Sequence, residues 1–401
     1  MDRTNGHNLT RRAFLRTTTR GAAAAGFAAL HPNILSAQST QPATQPAGPP
    51  RGILGRTGHP VTLISFGAIL LRDQMGTRVL KLAIDRGVNL VHTSQTYGGG
   101  RSVEAIGRLF KNDKSYRDKV FLCLKSCDPT DADEIDRMLK VLDVDHCDAV
   151  FTELHRFSTK RLDQIRAQQE RLVKQGKMRY RGFVCHVDMN GVIEAVLEHA
   201  ADEFDCTLLS MTMVPVPPDR AEGEARAQSE RFAGNLKALR EKNIGILSMK
   251  SGARKAVQES AEVFGPHAKT VLEAGADSVL TSMDTFQQVD MATKLDLVSP
   301  HTPAERAAAA AFRDSRRDTC LMCGLCDKAC PRGIPVSDLM RCRLYDVENG
   351  WHTHARAEYS TLDLDARRLP ELCGDCTACT AACPMNLASS AVVRQVAASL
   401  A

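Results

Sequence analysis

The chain has 401 residues, enough for two domains with a sizeable core. Hydrophobic residues make up 43% and charged residues 25%, the balance of a soluble globular protein, which excludes a collagenous or intrinsically disordered chain. The net charge of +5 is small for this length and no basic stripe with interleaved aromatics occurs, so nucleic acid is not an expected partner, and no apolar run is long enough for a stable membrane span.

The N-terminus reads as a targeting segment. Arg11 and Arg12 are followed by Phe14-Leu15, then by a mildly apolar stretch from Gly21 to Leu30 and small residues around Ser36-Ala37. That order of basic region, weak apolar region and cleavage site is the layout of a twin-arginine signal over residues 1–37. It predicts the twin-arginine translocase as a transient partner and a periplasmic or exported location, membrane-tethered if the signal stays uncleaved. Residues 38–50, rich in Pro, Gln, Thr and Ala, read as a disordered linker.

From residue 51 to about 300 short apolar runs alternate with helical segments. Strands are expected at Val61–Phe66, Asn89–His92, Val120–Lys125, Ala149–Leu154, Tyr180–Cys185, Cys206–Met211, Ile244–Met249 and Ser278–Thr281. Helices are expected at Thr77–Arg86, Val103–Phe110, Asp131–Leu142 (capped by Asp residues), Thr159–Gln175, Gly191–Ala200, Ala225–Lys242, near His267–Glu273 and at Phe286–Leu295. Eight β-α units in this length fit an α/β class fold, a (β/α)8 barrel. An open doubly wound sheet is the competing arrangement, but it calls for a Gly-rich phosphate turn, and no G-x-G-x-x-G occurs here. In a barrel, chemistry belongs at the C-terminal ends of the strands.

Two cysteine runs follow. Cys320, Cys323, Cys326 and Cys330 are spaced C-x2-C-x2-C-x3-C before Pro331, and Cys373, Cys376, Cys379 and Cys383 repeat the spacing before Pro384. Three cysteines can wrap one cubane cluster from a tight turn while the fourth reaches the neighbouring cluster. Two [4Fe–4S] clusters with crossed ligation are therefore expected. Cys320, Cys323, Cys326 and Cys383 would hold one, and Cys373, Cys376, Cys379 and Cys330 the other. Zinc modules use paired CxxC or CxxH units instead, and disulfides this dense would be strained. Twin-arginine export carries folded proteins, which suits clusters inserted before transport. Helical signals at Ala307–Phe312, Val336–Tyr345, Ala355–Tyr359 and Leu387–Leu400 make residues 301–401 a small α-helical two-cluster ferredoxin-like domain. Trp351, the only tryptophan, could pack a cluster or face the barrel, and a core role is the one expected.

The barrel segment resembles the aldo/keto reductase family. The resemblance is carried by Leu54-Gly55-Arg56-Thr57-Gly58, Ser65-Phe66-Gly67, Gly87-Val88-Asn89-Leu90-Val91-His92-Thr93, Tyr97-Gly98, Lys125, Leu154-His155, Gly176-Lys177-Met178-Arg179, Gly182 and Met249-Lys250. With the cysteine runs it resembles the iron–sulfur branch of that family. The resemblance implies carbonyl or alcohol redox chemistry on a small molecule, with Tyr97 as proton donor, Lys125 as its partner and His155 orienting the carbonyl. His92 stands where the family has an Asp. An imidazole supplies no negative charge, so His92 is expected either to accept a hydrogen bond from Lys125 or to push that lysine toward its neutral form.

The family's NADP(H) or NAD(H) contacts are largely changed. Val184 and Cys185 align with its Ser-Asn pair, Leu208 with its Gln, and Met211 with the stacking Tyr. The stretch Ser282–Ala292 contains no Lys or Arg. Met249, Lys250, Met283 and Thr285 are the remaining candidates for a nicotinamide cofactor. Two function classes are implied. One is an exported oxidoreductase that exchanges electrons through its clusters, or a nicotinamide, with an electron-carrier protein. The other is a non-catalytic electron-transfer or docking subunit on a degenerate barrel.

Overall fold

The computed structural model describes residues 48–214, 223–316, 318–362, 364, 371 and 373–400. The expected twin-arginine signal and nearly all of the expected linker lie outside the described residues. Among those described, no helix is long and apolar enough to cross a membrane.

The described residues form ten strands: β1 (Arg51–Ile53), β2 (Pro60–Thr62), β3 (Ile64–Gly67), β4 (Leu90–Ser94), β5 (Phe121–Ser126), β6 (Cys147–Glu153), β7 (Met178–Cys185), β8 (Cys206–Ser210), β9 (Gly245–Met249) and β10 (Ser278–Thr281). β3 to β10 close a barrel in sequence order, β10 pairing back to β3, and every barrel pairing is parallel. With helices between the strands this is a (β/α)8 barrel. The expected strand Val61–Phe66 divides at Leu63. Its first part pairs antiparallel with β1 as a hairpin, and its second enters the barrel. Asn89 fixes the break, because its side chain accepts from the Thr62 amide at 2.7 Å. The hairpin tip closes the N-terminal end of the barrel, where Arg56 donates to the carbonyls of Ala201 and Lys242 at 2.9 and 2.7 Å.

Period-two alternation sorts the side chains. Leu90, Phe121, Cys123, Ala149, Phe151, Val184, Cys206, Leu208, Leu247 and Met249 form a core inside the barrel. Their neighbours Val91, Leu122, Leu124, Val150, Phe183, Leu209 and Ile246 face the surrounding helices in a second core. Gly182 makes the inner core possible, since a Cβ there would lie 2.6 Å from the Phe151 ring.

The barrel helices are α1 (Gln74–Asp85), α2 (Arg101–Asn112), α3 (Ser115–Asp118), α4 (Glu134–Leu142), α5 (Thr159–Lys174), α6 (Met189–His199), α7 (Gly223–Glu241), α8 (Ala253–Glu259), α9 (Ala261–Glu273) and α10 (Phe286–Ala292). Asp73, Ser158 and Thr285 cap α1, α5 and α10 with side-chain oxygens. Asp133 at the start of α4 makes no such cap, contrary to the sequence reading, and Asp131 instead accepts from the Asp133 amide at 3.0 Å.

Helix α11 (Pro303–Asp314) begins with a capping box, Thr302 with Glu305. It lies along α9, tied by Lys269–Glu305 at 2.7 Å. The remaining helices α12 (Leu325–Ala329), α13 (Val336–Arg343), α14 (His352–Ser360) and those at Ala378–Ala381 and Ser389–Leu400 build the small C-terminal module, with a π-helical stretch at Leu344–Glu348.

Candidate active site at the barrel mouth

The inward period runs on to the C-terminal ends of the strands and there turns polar. His92 follows Leu90 by two residues, Lys125 follows Cys123, Glu153 follows Phe151, and His186 follows Val184. The same alternation that packs the interior therefore aims these four side chains into the mouth.

Glu153 is the hub. Its Oε1 accepts from Lys125 Nζ at 2.7 Å, with the two side chains 12% and 2% exposed. Its other oxygen, Oε2, meets His155 Nε2 at 3.0 Å, and Oε1 lies 3.6 Å from His186 Nε2. Burial would raise the Glu153 carboxyl, but Lys125 and His155 outweigh it and hold the group well below the usual carboxylate range. Burial likewise opposes charge on Lys125, yet Cys127, Glu153 and Glu358 hold its ammonium well above the usual value. Burial pushes the Cys127 thiol up to about 12, so at neutral pH the two glutamates supply that field.

His92 does neither thing expected of it. Both its ring nitrogens are buried without a hydrogen-bond partner. Burial, then Lys125 and Lys250, push its imidazole down to about 3, so it is neutral at physiological pH. The charge that would otherwise come from position 92 comes from Glu153, two strands along.

Tyr97 closes over this group from the loop after β4. Lys125 Nζ lies 5.7 Å from its ring centroid, and its ring meets His92 edge-on at 5.9 Å. Burial raises the phenol pKa and Lys125 counters that.

The C-terminal module roofs the mouth. Asp188 N–H donates to Met322 O at 2.9 Å, Thr212 Oγ1 to Leu321 O at 2.7 Å, and Arg156 bridges Asp327 and Asp338 at 2.7 and 3.0 Å. The module brings aromatic rings with it: His354 meets Tyr97 at 5.8 Å and Tyr345 at 4.6 Å. Buried Arg341 pairs with Asp338 and Glu358 beneath them. Trp351, expected in a core, is instead half-buried on the wall of the mouth, stacked on Tyr345 at 6.0 Å. The cavity measures about 120 Å³ and is lined by His92, Tyr97, Leu208, Met249 and Lys250 from the barrel and by Tyr345 and Trp351 from the module.

Tyr97, Lys125, His155 and His92 thus come together. Met249 and Lys250 line the cavity, whereas Met283 is fully buried and Thr285 caps α10, and neither lines it. Val184, Cys185 and Met211 are buried, and Cys185 Sγ donates to Val187 O at 3.0 Å. Glu153 and His186 were missed by the sequence reading, although the inward period carried to the strand ends would have found both. No sequence signal pointed to Tyr345, His354 or Glu358, which arrive from another module.

Glu153, His155 and His186 present ligand-type atoms within 4.8 Å of one another. Lys125 already occupies Glu153 Oε1, and Lys250 Nζ lies 2.8 Å from His186 Nδ1. Two lysine side chains against the trio make it a hydrogen-bond cluster rather than a cation seat.

The cysteines gather in two groups that mix the runs. Cys320, Cys323, Cys326 and Cys383 line one small cavity beside Gly324 and Met340. The Met322 amide points at Cys320 Sγ from 3.4 Å. Burial, then nearby Cys330, raise the Cys373 thiol, and burial, Cys373 and Cys330 raise that of Cys379. Cys330 therefore sits with the second run and Cys383 with the first.

The family model for the aldo/keto reductase family matches residues 70–307, more than half of the chain. The chain belongs to the aldo/keto reductase family. The match stops short of the cysteine runs. The solved aldo-keto reductase AKR11C1 from Bacillus halodurans, in its holo form, is 16% identical with a TM-score of 0.52, and the alignment covers 65% of this chain and 95% of that one. An aldo/keto reductase from Klebsiella pneumoniae, solved with NADP and acetate, is also 16% identical, with a TM-score of 0.49 over 65% of this chain and 95% of its own. At this identity the likeness shows the family's barrel fold. No curated protein sequence matches the chain.

Proposed function

We propose that this protein is an exported carbonyl or alcohol oxidoreductase whose barrel site works beside two [4Fe–4S] clusters in the C-terminal module. The observation that carries the reading is Lys125, fixed on Glu153 at 2.7 Å and 5.7 Å from the ring of Tyr97, which lines a cavity roofed by the cysteine-bearing module.

Reducing a carbonyl takes two electrons and two protons: Tyr97 Oη would give one proton to the substrate oxygen, and the carbon would gain its hydrogen from a second proton, taken from water, together with the electrons, or as hydride where a nicotinamide is the donor. Lys125 would stabilise the phenolate left behind, and Glu153 positions and neutralises Lys125. His155, held on Glu153 Oε2 at 3.0 Å, would orient the carbonyl.

The cysteines fit cubane clusters: four line one cavity, a peptide N–H points at one of their sulfurs, and the fourth residue of each run sits with the other run. Cys320, Cys323, Cys326 and Cys383 would hold one cluster and Cys330, Cys373, Cys376 and Cys379 the other. When bound, the clusters supply or accept single electrons, which an external electron-carrier protein would exchange with them. NADP(H) or NAD(H) is the alternative electron source, and the apolar Val184 and Leu208 and the off-cavity Met283 and Thr285 weigh against it. The same changes favour a second reading, a degenerate barrel serving as an electron-transfer or docking subunit.

Anaerobic titration of the cluster-loaded protein with NADPH and NADH, read by calorimetry and by bleaching of the visible absorbance, separates the electron sources. Substituting Tyr97→Phe should abolish carbonyl turnover driven by reduced clusters. Unchanged turnover would remove the barrel site from the chemistry, and a stoichiometric co-purifying partner with no barrel ligand would favour the docking subunit.

A further inference from the structure

We propose that Lys250 and Arg316 bind the carboxylate of a small oxo or hydroxy acid in the mouth cavity. This makes the substrate class acidic and rests on the oxidoreductase reading above.

Lys250 is half-buried and lines the cavity just past the end of β9. Its φ of 55° is one that side-chain-bearing residues seldom adopt, a conformation kept where the surroundings fix it. Its polar neighbours are His186 Nδ1 at 2.8 Å and Met249 Sδ at 3.5 Å, and the Tyr345 ring face lies 5.2 Å away. None of these carries a negative charge.

Arg316 comes from the segment that joins α11 to the first cysteine run. It donates to Ser251 O at 2.7 Å and lines the same cavity. Among the described residues no carboxylate lies within ion-pair distance of either cation. Gly252 makes room for the guanidinium: its φ is +106°, and a Cβ there would lie 2.2 Å from Arg316 Nη1.

Arg254 and Lys255 also border the cavity, against one carboxylate, Glu348. Arg254 is already paired with Asp284 at 2.9 Å. Lys255 and Arg316 leave an excess of positive charge at the cavity, while burial, then Arg341 and Lys125, hold the Lys250 ammonium well below its usual value, so that an arriving anion would favour its charged form. Buried cations without counter-ions are costly unless an anion arrives. An acid whose carbonyl reaches Tyr97 would present its carboxylate to them. The volume of about 120 Å³ accommodates a small organic acid.

A site built for a buried charge rejects the neutral isostere, because the cations are then left unpaired. The test is anaerobic calorimetry on the full cluster-loaded chain with pyruvate and with methyl pyruvate. Pyruvate should bind about ten- to a hundredfold more tightly than its ester. Lys250→Met and Arg316→Gln should each shrink that acid-to-ester ratio about tenfold or more, a readout that a general loss of folding would not produce.

Equal affinity for acid and ester, or a ratio unmoved by both variants, would overturn the proposal while leaving the oxidoreductase reading intact. Variants that lose NADPH binding but keep the acid preference would assign the cations to a dinucleotide's phosphates and also overturn it. If neither acid nor ester binds, the acid proposal and the carbonyl reading fall together.

Discussion

Glu153 is the residue on which the site depends most, and Glu153→Gln is the sharpest perturbation of it. The amide keeps the shape and an acceptor oxygen 2.7 Å from Lys125, but removes the charge. Stripping one charge from a buried pair costs about 3–5 kcal/mol. The retained neutral hydrogen bond returns about 1 kcal/mol. Glu358, the other glutamate acting on Lys125, places the expected loss near the lower end, about 2–3 kcal/mol. Expressed in the transition state, that loss corresponds to roughly a 30- to 150-fold fall in turnover. Urea unfolding of the full chain and carbonyl reduction by the cluster-loaded protein measure the two effects. The double variant His92→Asp/Glu153→Gln returns a carboxylate to the neighbouring strand and should recover at least half of the stability. A single-variant loss under about 0.5 kcal/mol, the range of a neutral surface change, would refute Glu153 as the lysine's counter-ion. A double variant no better than the single one would refute the idea that positions 92 and 153 are alternative seats for one charge.

Three further outcomes are expected. If ligation is crossed, Cys383→Ser should perturb the same cluster signal as Cys320→Ser, and Cys330→Ser the same one as Cys373→Ser; electron paramagnetic resonance that pairs each run with itself would sink the assignment. Burial opposes ionisation of Glu358, but Arg341 and Lys125 bring its carboxyl down to about 2, so its stabilisation is present above the unfolded value of 4.5 and is lost as pH falls from there toward 2. The loss is up to roughly 3 kcal/mol, and Glu358→Gln should flatten the stability profile between pH 5 and 3; an unchanged slope would be the contrary result. His92, neutral down to about 3 when folded but protonated below 6.5 when unfolded, adds a loss in the same direction, which His92→Gln should remove from unfolding curves taken between pH 6.5 and 4.

The sequence by itself determined the barrel. Alternation of apolar residues with period two, broken by helical stretches, is a local property, and all eight predicted strands contribute to the closed sheet in chain order, the first by its second half alone. It also determined the cysteine spacing, because ligand geometry within one turn depends on neighbours in the chain. The placement of Tyr97, Lys125 and His155 was legible through strand ends, and Glu153 could have been read from the same parity. What local signals could not carry was contact between distant segments. The break of the first apolar run at Leu63 depends on the hydrogen bond between Thr62 and Asn89, 27 residues on. The roof of the mouth depends on Tyr345, Trp351 and His354, which stand beside Tyr97 and Lys250 only because Arg156, Asp188 and Thr212 dock the module there. The charge on Lys125 was the clearest case. A missing carboxylate at position 92 predicted a weakened lysine, but a low-dielectric interior responds to distance in space, and the chain returned a carboxylate to the same point from another strand.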